Sequence, residues 1–253
     1  MKMKTQGLLA LIVAACAALS PNAHADEVSV AVAANFAGPL AKIAEGFTAA
    51  SGHTLKVSAG STGKFYSQIV SGAPFEVLIA ADDETPKKLA AGGHAVAGTN
   101  FTYAIGKLVL WSAQPGFVDD QGAVLASDKV KHVAIANPKV APYGAAAMEV
   151  IKARGLSDAV TPKLVTAESI AQAYQFVATG NAELGFVALS QVAVPGKPTP
   201  GSYWAVPANL YGEIRQDAVL LKAGADNPVA KALLDYLKSD AAKKLIREFG
   251  YGL

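Results

Sequence analysis

A short uncharged loop, Gly60-Ser61-Thr62-Gly63, has the residue types in this sequence best suited to binding a small ligand. It offers two hydroxyl groups, and its two glycines allow backbone N–H groups to come close to a bound ion. The residues that follow have the spacing of an amphipathic helix with no acid in its first turn. Because a helix N-terminus carries free N–H groups and the positive end of the helix dipole, the loop suits a small anion. An ordinary capping role for Ser61 and Thr62 is the alternative.

Three other junctions between a predicted strand and a predicted helix offer related chemistry. They are Ala33-Ala34-Asn35-Phe36, the segment 137–144 that contains Tyr143, and Thr166-Ala167-Glu168-Ser169-Ile170. Ligands of open α/β sheets bind beyond the carboxyl ends of the strands, so these junctions are expected to meet. The alternatives are structural: a turn at Asn35 and a core-covering role for Tyr143. Glu168 is interpreted as part of a helix cap and is assigned no ligand role.

The elements that must position these junctions alternate between strand and helix. Glycines follow several of the predicted helices and act as stop signals. The helix after Gly63 is predicted to bury Phe65, Tyr66, Ile69 and Val70. Strands are predicted at 28–34, 54–59, 75–81, 103–112, 132–137, 162–167, 183–190 and 211–221, and the main helices at 38–52, 143–155, 168–180, 228–239 and 240–250. This alternation favours an α/β fold in which mainly parallel sheets are flanked by helices.

Two similar α/β sets and a C-terminal remainder divide the chain. Residues 26–105 are predicted to form the first part of lobe 1, 106–210 to form lobe 2, and 211–253 to return to lobe 1. The chain would then cross between the lobes near 104–108 and again near 210–214. Two lobes joined by two crossings predict a hinged clamshell.

Residues 1–25 have the pattern of a secretory signal peptide with a cleavage site near Ala25. The apolar run at 7–19 is too short to favour a membrane-spanning helix. The mature chain is therefore expected in the periplasm without membrane insertion, and a lipoprotein attached through Cys16 is the minor alternative. Cys16 is the only cysteine, so a mature chain without it has neither a disulfide nor a cysteine nucleophile.

Charge and histidine spacing argue against nucleic-acid binding and against catalysis. Without Lys2 and Lys4 the chain carries as many basic as acidic residues, whereas nucleic-acid binding requires a basic surface. His53, His94 and His132 are not spaced as metal ligands or as a base beside a nucleophile. No catalytic residue is therefore predicted.

An acidic run, Asp82-Asp83-Glu84, is the remaining candidate for metal or enzyme chemistry. It is better interpreted as the first turn of a helix around Pro86, where acids complement the helix dipole. A secreted enzyme that uses Asp82, Asp83 or a histidine is kept as the alternative from a different functional class.

Four segments resemble those of the periplasmic molybdate-binding proteins of ABC importers, which belong to the type II periplasmic binding protein superfamily. They are "VAVAANFAGPLAKIAEGF", "GSTGKFYSQIVSGAPFEVLIAADDETPKKL", "IANPKVAPYGAAAMEVI" and the closing "YLKSDAAKKLIREFGYGL". The resemblance implies a monomer without catalysis or cofactor, which holds molybdate or tungstate between two lobes by neutral hydrogen-bond donors. It also implies delivery to a membrane-embedded permease, with molybdenum bound as its oxyanion and not through direct metal ligands.

The same resemblance implies which residues contact the ion. Tyr143 and Ile170 would donate through backbone N–H groups. Some family members use a tyrosine hydroxyl where this sequence has Ala188, and Asn35 would supply the replacement bond. The implied ligand-binding residues are Asn35, Ser61, Thr62, Tyr143 and Ile170.

The chemistry of the loops favours a fully deprotonated oxyanion. Phosphate keeps a proton near neutral pH and needs an acceptor such as a carboxylate, which the first two junctions lack. Molybdate, tungstate and sulfate need only donors. Only the family resemblance favours molybdate over sulfate, so a binder of sulfate or another tetrahedral oxyanion remains the alternative.

Overall fold

Ten strands and nine α-helices alternate along residues 26–253, the part of the chain that the computed structural model describes. The strands are β1 Glu27–Ala33, β2 Thr54–Gly60, β3 Val77–Ile79, β4 Phe101–Gly106, β5 Leu108–Ser112, β6 Val133–Ala136, β7 Leu164–Ala167, β8 Leu184–Ala188, β9 Ser202–Ala205 and β10 Ile214–Leu220. The helices are α1 Ala37–Ser51, α2 Thr62–Val70, α3 Glu84–Ala91, α4 Pro142–Ala153, α5 Ser157–Val160, α6 Ile170–Ala178, α7 Leu189–Val192, α8 Pro228–Leu237 and α9 Asp240–Glu248. The signal peptide, Ala25 and Cys16 lie outside these described residues.

The strands form two five-stranded sheets with equivalent topology. The first has the order β2-β1-β3-β10-β4 and the second the order β7-β6-β8-β5-β9. In each sheet the fourth strand, β10 or β5, pairs antiparallel with both of its neighbours. The other strands of each sheet therefore share one direction, so their carboxyl ends lie on the same edge. The α/β class predicted from the sequence is confirmed, although each sheet is mixed.

The chain changes sheet at Lys107. Residues 103–112 were predicted as one strand, but β4 ends at Gly106 and β5 begins at Leu108. The reason is that β4 pairs with β10 in the first sheet whereas β5 pairs with β8 and β9 in the second. The return to the first sheet lies between β9 and β10, which begins at Ile214.

Helical amphipathicity explains how the helices cover the sheets. Helix α1 buries Leu40, Ile43 and Phe47 and ends at Gly52, whose φ of 75° closes the helix in the left-handed region. Residues of α8 and α9 share one apolar core with β1, so these C-terminal helices pack on the first sheet. The predicted buried face of α2 is wrong in part: Phe65 and Ile69 are buried. Tyr66 and Val70 stay 36% and 43% exposed because only one side of α2 faces the core.

Apolar residues from the first lobe reach into the core of the second. Ala33, Ala34 and Ala81 belong to the same buried cluster as the strands of the second sheet. The two lobes are therefore in contact at the ends of β1 and β3. Within residues 26–253 no helix has the length and apolar character to cross a membrane.

Candidate functional site

All four predicted junctions border one cavity between the two sheets. The empty space in it, including its opening to solvent, amounts to about 210 Å³. Residues from both lobes line it: Ala33, Ala34, Asn35, Gly60, Ser61, Thr62, Ala81, Ala141, Pro142, Tyr143 and Ile170. The five residues expected to bind a ligand are thus brought together, and the site lies at the carboxyl ends of β1, β2, β6 and β7 as the topology requires.

None of these lining residues carries a side chain that is charged at neutral pH. The cavity therefore offers an anion hydroxyl groups, backbone N–H groups and helix dipoles, but no lysine or arginine. It also offers no carboxylate that could accept a proton from a ligand. This set of groups favours an oxyanion that is fully deprotonated at neutral pH.

Ser61 and Thr62 differ in how their hydroxyl groups are used. The Oγ atom of Ser61 is buried and has no hydrogen-bond partner within residues 26–253. The Oγ1 atom of Thr62 accepts a hydrogen bond from the backbone N–H of Ala81 at 2.9 Å, which leaves its hydroxyl hydrogen free for another acceptor. Because buried polar groups are normally paired, the unpaired Ser61 hydroxyl is an exception within the described residues, and it lies on the cavity wall.

Two helix starts supply backbone donors to the same cavity. Pro142 is the first residue of α4 and Ser169 caps α6 by accepting from the N–H of Gln172. Tyr143 and Ile170 follow them, and their N–H groups make no hydrogen bond to another residue of the described chain. The first N–H groups of a helix have no partner inside it, so both are available to an anion.

The side chain of Asn35 is engaged below the cavity, which corrects one expectation. Its Nδ2 group donates to Gln216 Oε1 at 2.9 Å and to Tyr251 Oη at 3.0 Å. Both amide hydrogens are used, so the side chain offers no free donor in place of the hydroxyl missing at Ala188. Asn35 lines the cavity, but its amide group is bonded to other residues of the protein and not free for a ligand.

Gly63 and Glu168 make contacts between the lobes. The N–H of Gly63 donates to the carbonyl of Val140 at 2.9 Å, and a Cβ on Gly63 would lie 2.9 Å from Val140 Cα. The role of Gly63 is therefore close contact between lobes, whereas the sequence suggested an approach to the ligand. The carboxylate of Glu168 pairs with Lys64 across the cleft, while its backbone N–H donates to Gln172 and the Ser169 hydroxyl caps α6.

The acidic run has the structural role predicted for it. Asp82 accepts hydrogen bonds from the N–H and the hydroxyl group of Thr85 at the start of α3. Burial raises the pKa of Asp82 above its usual value, and the Thr85 hydrogen bonds oppose this shift. Asp83 forms an ion pair with Lys87 on the same helix. No group of three or more histidines, cysteines and acids within the described residues could hold a metal ion.

A buried polar network beneath the cavity was missed by sequence reasoning. Gln216 accepts from Tyr103 and Asn35 and donates to Tyr143, while Tyr251 contacts Asn35 and Ser190. Burial raises the pKa of Tyr103 and Tyr143 well above the usual phenol value, so both stay neutral. No local sequence pattern marks this network, because the partners of Gln216 lie more than 70 residues away.

Comparisons with known proteins point to one family. Residues 28–252 match the family model for bacterial extracellular solute-binding proteins. A molybdate-binding protein ModA of Azotobacter vinelandii is 62% identical over 231 residues, 91% of this chain and 92% of the relative. A molybdate-binding protein ModA of Rhodobacter capsulatus is 57% identical over 229 residues, 90% of this chain and 89% of the relative.

A solved structure extends the similarity to three dimensions. It is a periplasmic molybdate-binding protein of Azotobacter vinelandii, with a TM-score of 0.87 and 45% identity, and the match covers 89% of this chain and 99% of that one. A likeness of this extent confirms the predicted two-lobed architecture.

Proposed function

The chain belongs to the family of bacterial extracellular solute-binding proteins, among the molybdate-binding proteins of ABC importers, and from this premise we propose that it captures molybdate in the cavity between its lobes. The observation that carries the proposal is the uncharged lining of that cavity. A doubly charged tetrahedral oxyanion would be held by hydroxyl and backbone N–H donors from both lobes. It needs no cofactor, and binding involves no catalytic step.

The ligand-contacting residues in this proposal come from each junction. The hydroxyl groups of Ser61 and Thr62 and the start of α2 would bind from the first lobe. The N–H groups of Tyr143 and Ile170 would bind from the second. Asn35 would border the ion without donating its side-chain amide, which is bonded to Gln216 and Tyr251. Support comes from the unpaired Ser61 hydroxyl and from the two unpaired N–H groups.

The donor set also bears on which ion is bound. Tungstate has the same charge and shape as molybdate, so it should bind the same donors. Phosphate retains a proton near neutral pH and would find no acceptor among the lining residues. Sulfate satisfies the same hydrogen bonds but is a smaller ion, and the similarity to molybdate-binding proteins is what favours molybdate over it.

Delivery completes the function of a protein in this family. The closed, loaded form would dock as a monomer on a membrane-embedded permease and release the ion there. The place of action would be the periplasm, after removal of the leader near Ala25.

Calorimetric titration of the purified protein with molybdate, tungstate, sulfate and phosphate tests the proposal. Molybdate and tungstate are expected to bind at least about 100-fold more tightly than sulfate, and phosphate should give no measurable heat. Equal affinity for sulfate and molybdate would remove the molybdate assignment. The absence of binding by any of these ions would return attention to the enzyme alternative.

A further inference from the structure

We infer that Gln216 is a positioning residue that aligns the two halves of the binding site when the lobes close. The inference rests on the proposed function, because it concerns the same cavity. Gln216 does not line the cavity and would not touch the ion. It would act through Asn35 in the first lobe and Tyr143 in the second, both of which do line the cavity.

The contacts of Gln216 join the two lobes through one amide group. On β10 of the first sheet, its Oε1 atom accepts from Asn35 Nδ2 at 2.9 Å. Its Nε2 atom donates to the hydroxyl of Tyr143, at the start of α4 in the second lobe, at 3.0 Å. The side chain is 0% exposed, so water does not compete for these bonds. One side chain thus fixes a wall residue of each lobe relative to the other.

A second buried link fixes the same turn from the opposite side. The hydroxyl of Ser190, on α7 of the second lobe, donates to the backbone carbonyl of Asn35 at 2.9 Å. The Tyr251 hydroxyl lies 2.9 Å from both this carbonyl and Ser190 Oγ. Asn35 is therefore held through its side chain and its main chain by groups from both lobes.

The close approach of Gln216 to Tyr143 depends on Gly106, the last residue of β4. A Cβ on Gly106 would lie 2.4 Å from Gln216 Nε2 and 2.3 Å from Tyr143 Oη. The absence of a side chain at this position, next to the crossing at Lys107, gives the two polar groups room to meet. The hydrogen bond between Gln216 and Tyr143 therefore requires glycine at position 106, beside the crossing between the lobes.

Stability alone does not account for a glutamine at this place in the core. Replacing a buried hydrogen-bonded set by apolar groups of the same shape is nearly neutral for folding. On β10, Gln216 stands between Arg215, which is exposed, and Asp217. Asp217 is bonded to Thr102 within the first lobe, whereas Gln216 is bonded to Tyr143 of the second lobe. A glutamine that bonds to Asn35 and Tyr143 instead constrains the arrangement of the lobes. Both hydrogen bonds form only when the two lobes have one particular relative position.

The consequence for binding follows from a shift of populations. If the Gln216–Tyr143 bond contributes to the closed form, its loss leaves a smaller fraction of the protein ready to enclose the ion. The apparent Kd then rises in inverse proportion to that fraction, although every donor to the ion is retained. A coupling of the usual size between two sites corresponds to about 5- to 150-fold in Kd.

The test compares two substitutions that break the same link from opposite sides. Gln216→Met keeps the length of the side chain without its polar groups, and Tyr143→Phe keeps the aromatic ring and the backbone N–H. Titration calorimetry with sodium molybdate should show a Kd raised at least about fivefold in each. The double variant should bind molybdate no more weakly than the single variant with the lower affinity, because both changes remove the same Gln216–Tyr143 hydrogen bond.

Ser112→Ala is the matched control. Its hydroxyl is buried and donates to the carbonyl of Glu183 within the second lobe, away from the network. This variant should lose thermal stability without ligand but should bind molybdate like the parent protein.

Separate results would overturn the inference and the function. If Gln216→Met and Tyr143→Phe only lower the melting temperature, as Ser112→Ala does, with unchanged Kd, the positioning role is wrong. If Gln216→Met fails to fold, Tyr143→Phe alone decides. If the parent protein itself does not bind molybdate, the proposed function is wrong.

Discussion

Two adjacent hydroxyl groups at the start of α2 do different work, and this difference can be measured. Ser61 Oγ has no partner in the described chain, whereas Thr62 Oγ1 accepts from the N–H of Ala81. The sequence shows two similar residues in one loop. Only the structure distinguishes them: the Ser61 hydroxyl has no internal hydrogen bond, whereas the Thr62 hydroxyl connects α2 to the segment that follows β3.

We predict that Ser61→Ala weakens molybdate binding about 10- to 150-fold, because a hydrogen bond to a charged group contributes about 1.5–3 kcal/mol. Stability without ligand should change little, since no internal bond is lost. Thr62→Ala should also weaken binding and should cost about 1–3 kcal/mol of unfolding free energy, because the buried N–H of Ala81 loses its acceptor.

Calorimetry and urea unfolding of the ligand-free proteins distinguish these outcomes. Ser67→Ala, which removes an exposed hydroxyl from the same helix, serves as the control. Normal affinity in Ser61→Ala would mean that this hydroxyl is not a ligand.

At the scale of the element, the start of a helix can be altered without altering the helix. Ile170 is the first residue of α6, and Ser169 before it has extended backbone angles, φ −147° and ψ 167°. Proline is compatible with the first helical position and requires an extended residue before it. The substitution Ile170→Pro therefore removes one N–H from the cavity while α6 is retained.

We predict that Ile170→Pro raises the Kd for molybdate about 10- to 150-fold, the effect of one lost hydrogen bond to a charged group. Ile170→Val keeps the N–H and trims the buried side chain, so it controls for lost packing. Circular dichroism should show unchanged helix content in both. Equal affinities of the two variants would exclude a backbone contact from this residue.

The elements also show where sequence reasoning was sufficient and where it was not. The four junctions could be predicted because Gly60, Ser61 and Asn35 stand at strand ends, where local residue type carries the information. The break at Lys107 could not, since one apolar run supplies two strands of different sheets. The engagement of Asn35 by Gln216 joins residues separated by 181 positions, and such pairing has no local pattern.

For the whole molecule, we expect the close contact between the lobes to affect affinity independently of the groups that touch the ligand. Gly63 lies in the first turn of α2, where an added Cβ would meet Val140 of the other lobe at 2.9 Å. Alanine favours a helix over glycine by roughly 0.5–1 kcal/mol. Stability and binding should thus move in opposite directions.

We predict that Gly63→Ala leaves the ligand-free protein as stable as the parent or slightly more stable, yet weakens molybdate binding because the lobes cannot close fully. Gly38→Ala is the control: it also adds a methyl group near a helix start, but the nearest atom is 4.0 Å away. Thermal unfolding and calorimetry give both quantities. Unchanged affinity in Gly63→Ala would show that the segment around Val140 can shift to make room for the added methyl group without loss of binding.

The tyrosine network predicts how stability depends on alkaline pH. Burial raises the pKa of Tyr103 and Tyr143, so above about pH 10 the unfolded chain loses phenol protons that the folded protein keeps. The free energy of unfolding should therefore fall as the pH rises above about 10. Below that pH the contribution of these two tyrosines should not change. Urea unfolding at about pH 8 and about pH 10.5 should show a smaller fall for Tyr143→Phe than for the parent. Ser112→Ala, which removes a buried hydroxyl outside the network, should show the same fall as the parent.

The position of β10 has a consequence for how the protein matures. This strand lies between β3 and β4 in the first sheet, yet the chain reaches it only at Ile214, after the whole second sheet. A chain that emerges from its N-terminus onward thus leaves the facing edges of β3 and β4 unpaired until about its last sixth appears. The first lobe cannot be completed before that point, and such long-range pairing is slow. We therefore expect the first lobe to reach its native structure only after residues 214–220 have been made, however early β1, β2 and β3 appear.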